Sequence, residues 1–137
     1  MSSKMSFVAF SGTADKLQAL ATMVSGAAAM EVETHVFLTF WGVMALRKDS
    51  AGKPLPVPTE YGEQGEQILD IMSQRGVTPF AELLRLSTEV GDVHIHACAM
   101  TTDLFNMEKD DLDDMVEDII GVGTFIQLAE GGSVVFI

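Results

Sequence analysis

Short apolar runs alternate with segments of helical spacing along nearly the whole chain, and this alternation constrains the fold most strongly. Each run is almost continuously apolar, which is typical of a strand buried on both faces of a parallel sheet. Parallel neighbours need crossover helices between them. The pattern therefore predicts an α/β domain, a three-layer α/β/α sandwich with a mostly parallel sheet of about five strands. The predicted strands are residues 6–11, 33–40, 93–99, a very short one at 119–122, and 133–137.

Between the apolar runs, apolar residues recur with the period of amphipathic helices. Residues 49–58 hold three of the four prolines and cannot continue a helix, so an exposed loop is predicted there. The predicted helices are residues 14–29, a short stretch after the break at Trp41 and Gly42 that ends at Lys48, and residues 60–75, 79–90, 108–118 and 123–129.

The segment 108–118, EKDDLDDMVED, holds much of the acidic excess. Leu112, Met115, Val116 and Ile119 follow the i, i+3, i+4, i+7 spacing, which predicts an amphipathic helix. Its acids form either a solvated face or a docking surface for a basic partner, and the sequence leaves both open.

Length and charge exclude several classes of protein. A chain of 137 residues fits a single domain over residues 1–137. The net charge of −12, with no cluster of Lys or Arg, argues against a nucleic-acid partner. No apolar stretch approaches the roughly 20 residues of a membrane helix, so no membrane partner is expected. A single cysteine is typical of a reducing compartment, so we expect a cytoplasmic protein.

Ligands of open parallel sheets bind beyond the carboxyl ends of the strands, which predicts where a site lies. Gly12 follows the first strand without a glycine-rich phosphate-binding pattern around it, so no nucleotide cofactor is expected, and none of another kind is indicated. The candidate rim residues at the three strand ends are Ser11, Gly12, Asp15, Thr39, Trp41, Gly42, His96, Met100 and Thr101, beside Cys98.

Cys98 is the only cysteine, and it stands at the end of a strand just before a predicted helix start at residues 101–103. Backbone amides of a helix start stabilise a thiolate and lower its pKa, which favours a nucleophile. A lone cysteine can equally be a small buried hydrophobe, and position alone leaves both roles open. A protease is not indicated, because neither a Cys/His/Asn arrangement nor a G-x-S-x-G elbow is recognisable.

His94, His96 and Cys98 alternate along one predicted strand, so all three should lie on one face, with about 7 Å between successive members. Such a column can bind zinc or copper, with His35 on another strand as a further ligand. The alternative is that the imidazoles make buried hydrogen bonds, with His96 tuning the Cys98 thiol.

Four segments carry a resemblance to a known family. They are SFVAFSG at residues 6–12 with Asp15 and Lys16, HVFLTFWGV at 35–43, VHIHACAM at 93–100, and GVGTFIQLAEGGSVVFI at 121–137. With these the chain resembles the DsrE/DsrF/TusD-like (DsrEFH-like) family of small sulfur-trafficking proteins. The resemblance implies a five-stranded parallel α/β/α sandwich that assembles into homo-oligomers.

The resemblance also implies a function. Cys98 matches the family cysteine, which would accept sulfane sulfur as a persulfide and pass it on without a cofactor. Small sulfur-carrier proteins, TusA-like or rhodanese-like, would be the donor or acceptor. Whether such a protein turns over as a sulfurtransferase or only carries sulfur stays open. The alternative function is a non-catalytic oligomeric scaffold or small-ligand-binding protein in which Cys98 is packed.

Overall fold

Five parallel strands form one sheet in the order β4-β3-β2-β1-β5, as described by a computed structural model covering residues 3–137. The α/β class and the parallel five-stranded sheet predicted from the sequence are confirmed. The chain starts near the centre of the sheet and moves outwards to β4 before returning to the opposite edge with β5. The strands are β1 Lys4–Ala9, β2 Glu33–Leu38, β3 Val93–Cys98, β4 Val116–Ile120 and β5 Ser133–Phe136.

Six helices connect the strands, and most begin and end within two residues of their predicted bounds. Three short 3₁₀ turns, Lys48–Ser50, Thr59–Tyr61 and Lys109–Asp111, lie in the connections. Within residues 3–137, none of the helices combines the length and apolarity needed to span a lipid bilayer. The helices are α1 Ala14–Ala29, α2 Trp41–Ala45, α3 Gly62–Gln74, α4 Phe80–Val90, α5 Ala99–Leu104 and α6 Val122–Ala129.

The main core lies between one face of the sheet and the helices α1 and α4. Alternate strand residues such as Phe7, Val36 and Ile95 are fully buried there, as the period of two requires. Leu17 and Leu84 face them from the two helices. The other face of the sheet carries α6, which packs over its middle and forms a second, smaller apolar cluster. This smaller cluster contains Cys98.

The prediction of a helix at residues 108–118 is wrong. The segment forms a 3₁₀ turn at Lys109–Asp111, with a reciprocal cap between Glu108 and Asp111, and then enters β4. Asp113 redirects the chain: its backbone N–H donates to Leu46 O at 2.8 Å, and its carboxylate accepts from the Met115 N–H at 3.0 Å. Aspartate side chains compete with helical hydrogen bonds in this way, and that competition outweighs the helical spacing of the apolar residues.

Candidate functional site

Two pockets lie at the carboxyl end of the sheet, where all five strands end together. One, which we call the thiol pocket, has a volume of about 550 Å³ and contains Cys98. The other, the tryptophan pocket, has a volume of about 520 Å³ and lies between the starts of α1 and α2 and the proline-rich loop. The rim predicted from the sequence is therefore divided between two cavities.

The thiol pocket is apolar, and Cys98 lies in its wall at the end of β3. The residue is 5% exposed and packs in one apolar cluster with Phe37 and Phe125, whose rings stack with centroids 4.6 Å apart. Because Phe37 belongs to β2 and Phe125 to α6, the pocket depends on α6 packing over the sheet. Its lining residues are Val8, Phe37, Thr39, Cys98, Met100, Gly121, Val122, Phe125, Ile126 and Phe136.

Several hydrogen-bond donors lie close to the Cys98 sulfur. Burial by itself raises the pKa of the thiol, but donors from Thr101, Thr39 and Met100 outweigh burial and hold the pKa below its ordinary value. Thr101 contributes both its backbone N–H and its hydroxyl, Thr39 its hydroxyl, and Met100 its backbone N–H. Cys98 is the N-terminal capping residue of α5, so two of these donors are free amides of the first helical turn. These donors therefore make the Cys98 thiol more acidic than burial alone would leave it.

A strained residue at the end of β2 orients one of these donors. Phe40 has φ 47° and ψ −116°, a backbone conformation that non-glycine residues rarely adopt. In this conformation its N–H donates to Thr101 Oγ1 at 3.0 Å, while Thr39 Oγ1 lies 3.3 Å from the same oxygen. The ends of β2 and β3 are linked through the Thr101 hydroxyl.

The structure distributes the remaining predicted rim residues away from the sulfur. Ser11, Gly12 and Trp41 line the tryptophan pocket. Asp15 accepts a 2.7 Å hydrogen bond from the Thr13 hydroxyl at the start of α1. Gly42 serves backbone packing, because a Cβ there would lie 2.1 Å from the Ala9 carbonyl oxygen. The predicted residues that accompany Cys98 are Thr39, Met100 and Thr101.

His96 lies on the same face of the sheet as Cys98, but its ring nitrogens contact other residues. Its Nδ1 lies 2.6 Å from Asp118 Oδ1, and its Nε2 lies 3.0 Å from His35 Nδ1. The ring nitrogens are therefore occupied by partners other than the thiol. The three residues His94, His96 and Cys98 are not gathered into a common ligand group: within residues 3–137, the ligand atoms that converge belong to His96, Glu117 and Asp118.

Hydrogen bonds between these histidines and neighbouring carboxylates shift the pKa values of His94 and Glu33. Burial disfavours the His94 imidazolium, but hydrogen bonds to Glu117 and Asp92 outweigh burial and raise the pKa of His94. The hydrogen bond with His35 lowers the pKa of Glu33 against the effect of its partial burial, and Lys4 adds to this lowering. His35 stacks between the other two imidazoles at centroid distances of 5.2 and 5.3 Å.

Sequence reasoning missed one wall of the thiol pocket. Gly121, Val122, Phe125 and Ile126 come from the turn after β4 and from α6. The end of β4 supplies this wall. The sequence prediction gave this strand as 119–122, whereas β4 is Val116–Ile120, and its end was not counted among the strand ends of the rim. The signal available in the sequence was the apolar, β-branched content of residues 116–120 followed by Gly121.

The chain is similar in sequence to the proteins of one known family. The model of the DsrE/DsrF/DrsH-like family matches residues 1–58 and 57–137. The uncharacterized protein YrkE of Bacillus subtilis is 33% identical over 153 residues, which cover 96% of this chain and 94% of YrkE. The sulfur carrier protein DsrE2 of Allochromatium vinosum is 30% identical over 148 residues, which cover 92% of each chain.

Two solved structures have the same fold. A protein of unknown function, MTH1491 of Methanobacterium thermoautotrophicum, superimposes with a TM-score of 0.63 at 21% identity, covering 98% of this chain and 99% of that one. The ychN protein of E. coli superimposes with a TM-score of 0.62 at 17% identity, with the same coverage.

Proposed function

This chain belongs to the DsrE/DsrF/DrsH-like family, and we propose that it is a sulfur carrier or sulfurtransferase that holds sulfane sulfur as a persulfide on Cys98. The observation that carries the proposal is the position of the only cysteine in an apolar pocket, surrounded by donors that lower the pKa of its thiol. The relationship to a sulfur carrier protein supports a role in sulfur relay.

Loading of Cys98 follows from ordinary thiol–disulfide chemistry. The Cys98 thiolate attacks the outer sulfur of a donor persulfide R–S–SH. A bond forms between Cys98 Sγ and that sulfur, the S–S bond of the donor breaks, and the donor leaves as the thiolate R–S⁻. The Cys98 sulfur is formally oxidised and the inner sulfur of the donor persulfide is reduced to a thiolate, so neither an external oxidant nor a cofactor is required.

Unloading uses the same groups in the reverse sense. An acceptor thiolate attacks the outer sulfur of the Cys98 persulfide, and Cys98 departs as a thiolate. A thiol with a lowered pKa is a better leaving group, so the donors from Thr39, Met100 and Thr101 that assist loading also assist release. Until then, the walls formed by Phe37 and Phe125 shield the persulfide from solvent.

The partners proposed here are those that the family membership implies. We expect small sulfur-carrier proteins, TusA-like or rhodanese-like, to be the donor or acceptor in the reducing setting of the cytoplasm. A pocket of about 550 Å³ exceeds the volume of one sulfur atom, which leaves room for the thiol-bearing tip of such a protein.

Self-association is part of the same proposal. Large apolar side chains stand more than half exposed on α6 and β5: Val122, Ile126, Val134 and Phe136. Contiguous apolar surface of this kind marks interaction sites. A second copy of this chain is the occupant we propose, since the patch borders the thiol pocket and lies beside the open edge of β5.

One alternative has an observation in its favour. Cys98 is 5% exposed, which is also what an inert, packed cysteine shows, and the domain would then act as a non-catalytic scaffold. Alkylation separates the two functions, because a packed thiol reacts slowly at every accessible pH and a stabilised thiolate reacts near neutral pH.

Sulfur transfer is the direct test of the proposed function. Wild-type protein and the Cys98→Ser variant are treated with a persulfide donor, freed of it, and mixed with a reduced TusA-like carrier. Intact masses of both proteins are then followed with time. We expect one sulfur atom to leave the wild-type chain and appear on the carrier, and none to be passed by the variant. Transfer of equal amounts by both proteins, or by neither, contradicts the proposal.

A further inference from the structure

A second group of chemically capable side chains lies on the same face of the sheet as Cys98, nearer the amino ends of the strands. We call it the histidine–carboxylate cluster: Glu33, His35, Asp92, His94, His96, Glu117 and Asp118. One ligand atom each from His96, Glu117 and Asp118 lies within 4.8 Å of the other two. We propose that these three residues bind a divalent cation of the zinc class, through His96 Nδ1 and the two carboxylates.

A β-bulge builds the ligand group. Ile95 pairs with Val116, but the next residue, His96, pairs with Asp118, so Glu117 is an extra residue in β4. In a regular strand, neighbouring residues point to opposite faces. The bulge removes this restriction and lets two successive carboxylates reach one imidazole. Bulges are over-represented next to functional sites for this reason.

The hydrogen-bond chain behind the ligand group is suited to a metal. Asp118, His96, His35 and Glu33 are joined in series by contacts of 2.6, 3.0 and 2.9 Å. Each contact needs one proton or one cation between its two atoms. A metal ion can therefore take the place of the proton between His96 Nδ1 and Asp118 Oδ1.

A metal at His96 Nδ1 fills that position. The His96 proton then lies on Nε2 and is donated to His35 Nδ1, and the His35 Nε2–H is donated to the Glu33 carboxylate. Each of these two contacts then has its own proton. Histidine ligands typically donate their second ring N–H in this way, which fixes the tautomer and the ring orientation.

The surroundings favour a cation with open coordination positions. Glu117 and Asp118 have half-exposed side chains that can turn towards an ion, whereas His96 is buried and fixed. His94 contacts Glu117 and Asp92 and acts as a positioning residue. One nitrogen and two carboxylate ligands suit zinc and leave at least one position for water.

This site is separate from the thiol. His96 and Cys98 are two residues apart on one strand face, about 7 Å, which exceeds a shared coordination sphere. The proposed function of Cys98 therefore does not depend on the metal, and the Cys98→Ser variant should bind metal as the wild type does. That variant distinguishes this site from a His/Cys metal site.

Metal titration tests the inference. Chelator-treated wild-type protein is titrated with ZnCl₂ by calorimetry, and with Co²⁺ while visible absorption is recorded. We expect binding of one ion per chain. His35→Gln, which removes the partner of the liganding imidazole, should weaken binding by about 10- to 100-fold. Asp118→Asn and Glu117→Gln should weaken binding at least as much.

Two controls make the outcome decisive. Asp114→Asn removes a highly exposed carboxylate from the same acidic segment and should leave the affinity unchanged, as should Cys98→Ser. Because Glu117 and Asp118 are half exposed, their variants should fold, which circular dichroism confirms, even if the buried His35 variant does not. Absence of zinc and cobalt binding by the wild type, affinity unchanged in Asp118→Asn and Glu117→Gln, or affinity lost in Cys98→Ser would each overturn the proposal.

Discussion

The backbone N–H of Phe40 donates a 3.0 Å hydrogen bond to the hydroxyl oxygen of Thr101. The same oxygen lies 3.3 Å from Thr39 Oγ1, and the Thr101 hydroxyl is one of the donor groups that lower the pKa of Cys98. A strained residue at the end of one strand is thereby linked to a donor group beside the thiol at the end of the next. Strain of this kind, of about 1–3 kcal/mol, persists where the surrounding structure fixes it, and such residues cluster at functional sites.

Replacing Thr101 by valine should raise the pKa of Cys98. The substitution keeps the shape of the side chain and removes one donor to the thiolate. In the wild type, the rate of alkylation by iodoacetamide should rise with pH through a midpoint below 9.0, because the thiolate is the reactive form and its pKa is lowered. In Thr101→Val the midpoint moves to higher pH, and alkylation at neutral pH becomes several-fold slower.

Thr102→Val is the matched control for that experiment. Thr102 is buried in the same turn of α5, but its hydroxyl donates to Ala99 O at 3.0 Å. We expect its alkylation midpoint to equal that of the wild type. Equal shifts in the two valine variants would show that general disturbance of the helix start, and not the Thr101 hydroxyl, controls the thiol.

Two glycines in helices should respond to alanine with opposite signs. At Gly42 an added Cβ would meet the Ala9 carbonyl oxygen at 2.1 Å, so Gly42→Ala should lower the free energy of unfolding by about 1–3 kcal/mol or more. At Gly26 an added Cβ meets nothing within 4 Å, so Gly26→Ala should raise it by about 0.5–1 kcal/mol. Urea denaturation measures both. A tolerated alanine at position 42 would contradict the close packing of α2 on the end of β1.

Self-association should depend on the apolar patch formed by α6 and β5. Light scattering of the wild type should give a mass that is a multiple of 14.8 kDa. Val134→Lys places a charge in the patch without touching the lining of the thiol pocket, and it should shift the protein towards the monomer. Val90→Lys, at a similarly exposed position on α4, should not. A wild-type monomer at all concentrations tested would refute the self-association proposal.

The sheet could be predicted from the sequence because each strand is a short, almost continuously apolar run. Since ligands of parallel sheets bind at the carboxyl ends of the strands, Thr39, Met100 and Thr101 could also be grouped with Cys98. The sequence predicted the fourth strand to begin at residue 119, whereas β4 begins at Val116, because the spacing of Leu112 to Ile119 fits a helix while the competing aspartate hydrogen bonds become visible only in three dimensions. The division into two pockets and the approach of Glu117 to His96 depend on helix placement and strand register, which residue patterns do not encode.

Mass spectrometry of Cys98 after exposure to a sulfane-sulfur donor tests the central claim most directly. Wild-type protein and Cys98→Ser are incubated with inorganic polysulfide or a persulfidated rhodanese-like donor, with glutathione in a parallel sample to show that the donor is active. The account predicts an adduct of one sulfur atom on Cys98 of the wild type and none on the variant. An unmodified Cys98, in conditions that persulfidate glutathione, would contradict it.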